Sequence, residues 1–426
     1  MSFENAMTSA ETIPMPAART VSRCLSCGSD ALHPVLDLGL QPLANNLLAE
    51  ADLTRPEPRF PLGIQVCPSC WLVQLTDLVP PVDLFTTYLY FSSYSDTMLR
   101  HAAQASARFV ERLGLGPQSF VVEIASNDGY LLRNFVQRGI PCLGIEPAEN
   151  IALAARERGV ESLVEFFGSE CAAGVAATRR KADLILGNNV FAHVPDINDF
   201  ARGLAELLAP EGTVSLEFPY ARELFDRNEF DTIYHEHVFY FSLTPLVPLF
   251  ARHGLEIHDV ERLAIHGGSL RIWAGWRGRR PVGPAVTELL EAERAAGLHG
   301  IGYYDSLAGR VHRLREDLLE KIAELKAGGR RLAAYGASAK GSTLLNFCSP
   351  PAGSIEFIAD RSEAKRGLFS PGLHLPIVGP EELAARQPDY ALLLTWNFAE
   401  EILAQQRDFR TGGGRFLIPI PEVRDC

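Results

Sequence analysis

Tyr234-His235-Glu236-His237 places a phenol, two imidazoles and a carboxyl in four consecutive residues, framed by Phe230, Ile233, Val238, Phe239, Tyr240 and Phe241. Polar groups in an apolar frame cost free energy unless they are hydrogen-bonded, and burial beside close neighbours moves their pKa values toward a working pH. Such a cluster can carry protons. It can equally be a hydrogen-bonded structural turn or, through His-x-His, supply two ligands to a metal ion. A straight strand would put Tyr234 and Glu236 on one face and His235 and His237 on the other. The four residues alone leave these alternatives open.

A second constellation points to a metal. Cys24-Leu25-Ser26-Cys27 and Cys67-Pro68-Ser69-Cys70 are two Cys-x-x-Cys knuckles separated by residues 28–66. Two such knuckles supply four thiolates to a tetrahedral zinc ion, and four sulfurs leave no open coordination position, so the ion is expected to be structural. The competing reading, redox dithiols or disulfides, fits a cytosolic chain with paired knuckles less well. Cys142, Cys171, Cys348 and Cys426 are scattered and read as ordinary thiols.

The bulk properties narrow the function classes. Hydrophobic content of 47% and charged content of 22% are those of a soluble globular protein. A net charge of -12 and pI near 5.5 argue against broad nucleic-acid binding, which needs a basic face. No apolar run approaches the roughly 18 residues a membrane helix needs, and the segment to Thr20 reads as a disordered arm without leader features. A cytoplasmic location is the expectation. At 426 residues, two or three domains are expected.

The elements that position the chemistry show an α/β rhythm. Strand-like runs at 120–125, 142–145, 182–186 and 212–217, with a helix from Tyr130, predict a doubly wound parallel sheet. The first turn, Glu123-Ile124-Ala125-Ser126-Asn127-Asp128-Gly129, has one glycine where a dinucleotide site needs three. Its carboxylates Glu123 and Asp128 would repel a pyrophosphate but suit the cationic sulfonium and amino group of S-adenosylmethionine. Glu146, ending the second strand, is placed to accept from ribose hydroxyls. Ligands sit at the carboxyl ends of strands in open α/β sheets, so Asn188, Asn189 and His193 after the next strand border the same site. Leu307, Val311, Leu314, Leu318, Ile322 and Leu325 mark an amphipathic helix stopped by Gly328-Gly329. A second α/β rhythm follows, with strands expected at 331–335, 355–360 and 390–395. Its first loop, Gly336-Ala337-Ser338-Ala339-Lys340-Gly341, offers backbone N–H groups, a hydroxyl and an ammonium to a diphosphate.

Taken in order, the four-cysteine module, Leu38-Gly39-Leu40-Gln41-Pro42-Leu43-Ala44-Asn45, Tyr88-Leu89-Tyr90-Phe91-Ser92-Ser93, the Glu123–Gly129 turn, Tyr234–His237, Gly267-Gly268-Ser269-Leu270-Arg271 and Gly336–Gly341 make a pattern. From about Val21 onward it resembles the S-adenosylmethionine-dependent sugar C-methyltransferases, and most closely those that act at C-3′ of deoxysugars. The resemblance implies a zinc module (21–82, after an arm at 1–20), a central Rossmann-like methyltransferase domain (83–300) and a C-terminal Rossmann-like domain (301–426) that helps hold a nucleotide sugar. It also implies one structural zinc and a nucleoside-diphosphate 4-keto-6-deoxyhexose substrate. A dTDP link is expected over GDP, and a monomer is expected because no coiled coil or exposed amphipathic stripe argues for an oligomer. His237 matches the family's catalytic base. Glu236, Tyr234, Tyr88 and His193 would share the catalytic site, with Ala125, Asn127 and Gly129 beside Glu123 and Asp128 at the methyl donor. Tyr90, Arg271, Ser338, Lys340 and Asp360 would bind substrate. His235 is expected to face away.

Overall fold

The structure is a computed structural model describing residues 18–80, 84 and 92–426; of Tyr94 and His266 only the backbone is described. The N-terminal module is antiparallel β-structure. Its strands are β1 (Arg19–Thr20), β2 (His33–Pro42), β3 (Arg59–Val66), β4 (Val73–Leu75) and β5 (Asp77–Leu78), of which β1 and β5 pair with each other in a separate two-stranded sheet. Strands β2, β3 and β4 form a meander whose inward residues Leu36, Leu38, Leu62, Ile64, Val66, Val73 and Leu75 are buried.

Helix α1 (Asp96–Leu113) leads into the central sheet. Its start is capped by Ser95, which accepts from Met98 N, and it ends at Gly114 with φ +62°. Met98, Ala102, Ala105 and Phe109 form its buried stripe. The central strands are β6 (Val121–Ile124), β7 (Cys142–Ile145), β8 (Ser162–Leu163), β9 (Ala182–Asn188), β10 (Leu208–Pro219), β11 (Phe239–Tyr240), β12 (Leu255–Leu263) and β13 (Ser269–Trp276). Seven of them order as β12-β13-β10-β9-β6-β7-β8, parallel except for β13. Strand β6 is buried along its whole length, as a central parallel strand covered on both faces should be. The chain leaves β6 toward β7 and returns on the other side at β9, which makes the carboxyl ends of β6 and β9 the topological switch point. Strand β11 belongs elsewhere: it pairs with β4 and completes the zinc module's sheet.

Helix α2 (Ile301–Ala327) buries Leu307, Val311, Leu314, Leu318, Ile322 and Leu325, the stripe read from the sequence. It enters a second sheet made of β14 (Leu332–Tyr335), β15 (Ile358–Ala359), β16 (Ile377–Val378), β17 (Tyr390–Leu393), β18 (Arg415–Ile418) and β19 (Arg424–Asp425). The order is β16-β15-β14-β17-β18-β19, parallel except for β19, and its switch point lies at the ends of β14 and β17. Helix α3 (Ala339–Cys348) follows β14. Two expected elements are shorter than their sequence patterns: the helix expected from Tyr130 spans only Arg133–Val136, and the strand expected over 355–360 is the two-residue β15. No helix among the described residues is long and apolar enough to cross a membrane.

Candidate active site

Both switch points open on one cavity of about 1100 Å³. Ala125 and Asn127 enter it from the end of β6, Asn188 and Asn189 from β9, Gly336 and Ala337 from β14, and Thr395 from β17. A site for one small ligand occupies roughly 300–1,000 Å³. A volume just above that range, fed by two nucleotide-type crevices, fits two ligands lying side by side.

Tyr234–His237 lies in the wall between the crevices and is a turn, with His237 N donating to Tyr234 O at 2.9 Å. The straight-strand reading is therefore overturned, and Tyr234, Glu236 and His237 all reach the cavity. His237 Nδ1 lies 2.8 Å from Thr232 O. A carbonyl only accepts, so Nδ1 carries the proton and Nε2 presents its lone pair. Tyr234 Oη lies 2.7 Å from that Nε2, so the phenol donates to it. His193 packs its ring edge against His237 with centroids 4.7 Å apart, and burial lowers its pKa to about 4, so it is neutral near pH 7. Burial pushes the Glu236 carboxyl up to about 7, against the opposing effect of hydrogen bonds from Asn45 Nδ2 at 2.8 and 2.9 Å. His235 points away from the cavity, donating to Pro61 O at 3.2 Å beside Phe60. His-x-His therefore does not converge on an ion.

The crevice at β6 and β9 carries the features of an adenosyl site. Ala125, Asn127 and Asn189 adopt φ of +51°, +49° and +54°, a left-handed conformation that non-glycine residues rarely hold and that clusters at functional sites. Glu146 borders the cavity and accepts from Asn127 N and Ala148 N, both at 3.0 Å, which fixes its carboxylate at the end of the second strand, where an acid could hold a ribose. Glu123 is buried, and both its oxygens lack a hydrogen-bond partner among the described residues. Burial, then the Glu146 and Asp128 carboxylates, raise its pKa well above the usual range. Of these three carboxyls Glu146 is the one that lines the crevice, and an acid at the end of the second strand suits the ribose of an adenosyl cofactor, so S-adenosylmethionine fits the donor set.

The other crevice repeats the wiring. Asp360, ending β15, accepts from Ala337 N and Ser362 N at 2.7 Å, as Glu146 accepts from the loop after β6 and from the residue two positions on. Gly336 has φ +93°, and a Cβ there would lie 2.6 Å from Thr395 Cγ2, so only glycine fits that turn. Ser338 Oγ caps α3 by accepting from Gly341 N at 3.1 Å. Lys340 lines the cavity, but its ammonium is buried 4.8 Å from the Trp396 ring centroid, where its charge opposes the burial that raises the Glu229 and Asp231 carboxyls, and it has no hydrogen-bond partner among the described residues.

Four expected site residues stand elsewhere. Asp128 is fully buried behind its turn, ion-paired to Arg158 and bonded to Ser93, so it acts on the cofactor crevice only as a neighbouring charge. Glu123 sits behind the cavity wall rather than on it, and Gly129 serves packing: a Cβ there would lie 2.8 Å from Val160 Cγ2. Arg271 is 3% exposed and pairs with Glu217, which His101 also contacts at 2.9 Å, so it cannot reach a diphosphate. Its sequence pattern could not reveal that β10 lies alongside β13 and brings Glu217 opposite it. Arg271→Ala is expected to lower stability, by at most the roughly 3–5 kcal/mol of a broken buried pair, because buried Glu217 loses its guanidinium and keeps the His101 contact, measured as a fall in the denaturation midpoint. A selective rise in acceptor KM at unchanged stability would contradict that assignment. Tyr88 and Tyr90 lie outside the described residues. Asn45, on the sequence motif ending β2 but given no role from it, is the site residue that sequence reasoning missed.

The Sγ atoms of Cys24, Cys27, Cys67 and Cys70 all lie within 4.8 Å of one another, with Cys24–Cys70 at 3.5 Å and Cys27–Cys67 at 3.6 Å. A tetrahedral site with Zn–S near 2.3 Å has sulfur–sulfur edges of about 3.8 Å, so the cluster fits zinc. Asn198 donates to Leu25 O and Ser26 O at 2.9 and 3.0 Å, and Arg252 donates to Ser26 Oγ at 2.7 Å, which clamps the first knuckle to the central domain. Trp71, beside the second knuckle, stacks against His299 and Tyr304.

Comparison with known proteins agrees with this architecture. Residues 24–85 match a zinc binding domain, 98–260 a methyltransferase domain and 264–421 the C-methyltransferase C-terminal domain. The chain is 40% identical over 407 residues, 95% of its length and 97% of the relative's, to C-methyltransferase NovU of Streptomyces niveus. Among solved structures, magnesium protoporphyrin IX methyltransferase of Synechocystis PCC 6803 with bound SAH aligns at 13% identity and TM-score 0.34 over 41% of this chain and 82% of that one. An S-adenosylmethionine-dependent methyltransferase from Clostridium acetobutylicum aligns at 9% identity and TM-score 0.34 over 42% and 92%. With a zinc-binding module, an S-adenosylmethionine-type sheet and near full-length identity to a C-methyltransferase, the chain belongs to the S-adenosylmethionine-dependent C-methyltransferases.

Proposed function

We propose that this C-methyltransferase acts on C-3′ of a nucleoside-diphosphate 4-keto-6-deoxyhexose, dTDP-linked rather than GDP-linked, as a cytoplasmic monomer. One observation carries the reading. The Thr232 carbonyl holds His237 in the tautomer whose Nε2 is a base, and that nitrogen stands in a cavity wall between an adenosyl crevice and a second nucleotide-type crevice.

Carbon is nucleophilic here only after a proton leaves it, and a neighbouring ketone makes that proton removable by delocalising the charge onto oxygen. His237 Nε2 takes the proton from the ring carbon. The Tyr234 O–H turns from Nε2 to the ketone oxygen and stabilises the enolate there. The Glu236 carboxylate accepts from a sugar hydroxyl and fixes the ring in the cavity. A neutral His193 against His237 adds no charge to oppose the imidazolium that forms. Tyr88 and Tyr90 would reach the hexose, and Lys340 with the N-terminal turn of α3 would meet the diphosphate. Asp360, spent on two backbone N–H groups, braces that loop and turns its remaining lone pairs to a ribose. S-adenosylmethionine, when bound beside Glu146, supplies the electrophilic sulfonium methyl that the carbon takes. Zinc is structural and takes part in no step.

The test is a panel of dTDP- and GDP-linked 4-keto-6-deoxyhexoses, with the methylated carbon located by NMR. C-3′ methylation of a dTDP sugar is the expected result. Methylation at C-5′, or of a ketone-free alcohol or amine in place of every ketone, would overturn it.

A further inference from the structure

Asn45 is the one cavity residue through which the zinc module touches the Tyr234–His237 turn by a side-chain hydrogen bond among the described residues. Its Nδ2 stands 2.8 and 2.9 Å from the two oxygens of Glu236, so a single amide donor is shared almost evenly by the carboxylate. The loop that presents it is short and held at both ends. On one side Pro42 pairs with Arg59 in the module's sheet. On the other, Leu48 and Phe369 exchange backbone hydrogen bonds of 2.9 and 2.8 Å, which ties the loop to the C-terminal domain. Between these anchors Asn46 N donates to Leu43 O and Leu47 N to Asn45 O. Asn45 therefore stands where zinc module, central domain and C-terminal domain meet, and its position depends on all three.

We propose that Asn45 is a positioning residue for methyl transfer: its amide holds the Glu236 carboxylate in its working orientation and charge state. The inference rests on the reading of Glu236 as an acceptor for the sugar. Among the described residues, the titratable side chains that line the cavity around Glu236 on its own turn and on the loop after β9 are the imidazoles of His237 and His193 and the phenol of Tyr234, with His235 turned outward. No lysine or arginine among the described residues forms an ion pair with it. Asn45 thus supplies the stabilisation of the charged form that a cation supplies elsewhere, against the burial that favours the protonated form. An amide has a further consequence that an ammonium would not: it leaves the carboxyl titrating near neutral pH, and no fixed positive charge stands beside the imidazolium formed on His237.

The sign follows directly. The working form is the carboxylate, so activity rises with pH through the Glu236 titration. Losing the Asn45 donor raises that pKa, so Asn45→Ala should move the acid limb of kcat/KM upward by roughly one unit, a tenfold loss below the limb that recovers at high pH. Asn45→Asp, which adds a like charge, should move it at least as far. In a Glu236→Gln background, Asn45→Ala should produce no further shift. Zinc content and the calorimetric Kd for S-adenosylmethionine should match wild type in every variant. The coupling can be read without any acceptor, from the ¹³C carboxyl signal of Glu236, identified by its loss in Glu236→Gln: its midpoint should rise in Asn45→Ala. A limb and a carboxyl midpoint that stay in place, or a loss of equal size at every pH, would overturn the proposal. If the ¹³C midpoint moves as expected while no 4-keto sugar is methylated by wild type, the positioning contact stands and the substrate assignment fails.

Discussion

Replacing His237 by asparagine is expected to lower methylation about 100- to 10,000-fold, the range a positioned general base contributes. The substitution is selective because an asparagine amide can still donate to Thr232 O, as Nδ1–H does at 2.8 Å, while nothing replaces Nε2. The Tyr234 phenol, 2.7 Å from Nε2, loses its acceptor as well, so its orientation toward the ketone is lost in the same step. Cofactor binding should survive, since Ala125, Asn127, Glu146 and Asn189 are held at the ends of β6, β7 and β9 and not by the Tyr234–His237 turn. Calorimetry with S-adenosylmethionine beside a single-turnover assay separates the two effects. Unchanged turnover would remove His237 as the base; loss of cofactor binding would make its role structural.

Zinc removal is expected to have the other large effect. Structural zinc sites of this ligand type supply apparent folding free energies of about 10–16 kcal/mol at pH 7, more than a small antiparallel module can replace. The consequence should extend beyond the module. The second knuckle runs directly into β4, β4 pairs with β11, and β11 begins two residues after His237. Leu75 N also donates to Val238 O at 2.9 Å, one residue from the base. Purified protein should contain one zinc per chain, and Cys67→Ser or chelation should abolish the module's cooperative unfolding and turnover together. Cofactor affinity should fall less, because the switch point at β6 and β9 is built from the central sheet alone. Metal analysis reporting no zinc, or a metal-free protein with an unaltered unfolding profile, would contradict this.

What the sequence displayed was local. Two Cys-x-x-Cys knuckles, the buried stripe of α2 and the apolar runs of β6 and β9 each depend on spacing within a few residues, and spacing survives in a one-dimensional string. The Glu146 and Asp360 positions were legible for the same reason, since strand, turn, helix, strand and acid is a local order. What stayed hidden was pairing across distance. Arg271 looks like a solvent cation until β10 and β13 lie together and Glu217 meets it. Asp128 looks like a cofactor ligand until Arg158 folds beneath the turn. Strand alternation alone would part His237 from Tyr234 and Glu236, and the His237 N to Tyr234 O hydrogen bond closes the turn that a shared site requires. Asn45 carries no sign of its partner, since Glu236 is contributed by a different domain.

Proton removal from the sugar before methyl transfer is the central claim, and exchange in deuterium oxide tests it most directly. Wild-type protein incubated with a dTDP-4-keto-6-deoxyhexose and S-adenosylhomocysteine in place of the methyl donor should wash deuterium into C-3′, and His237→Asn should slow that exchange to the level without enzyme. Methylation without any enzyme-dependent exchange at that carbon, or exchange undiminished in His237→Asn, would contradict the account.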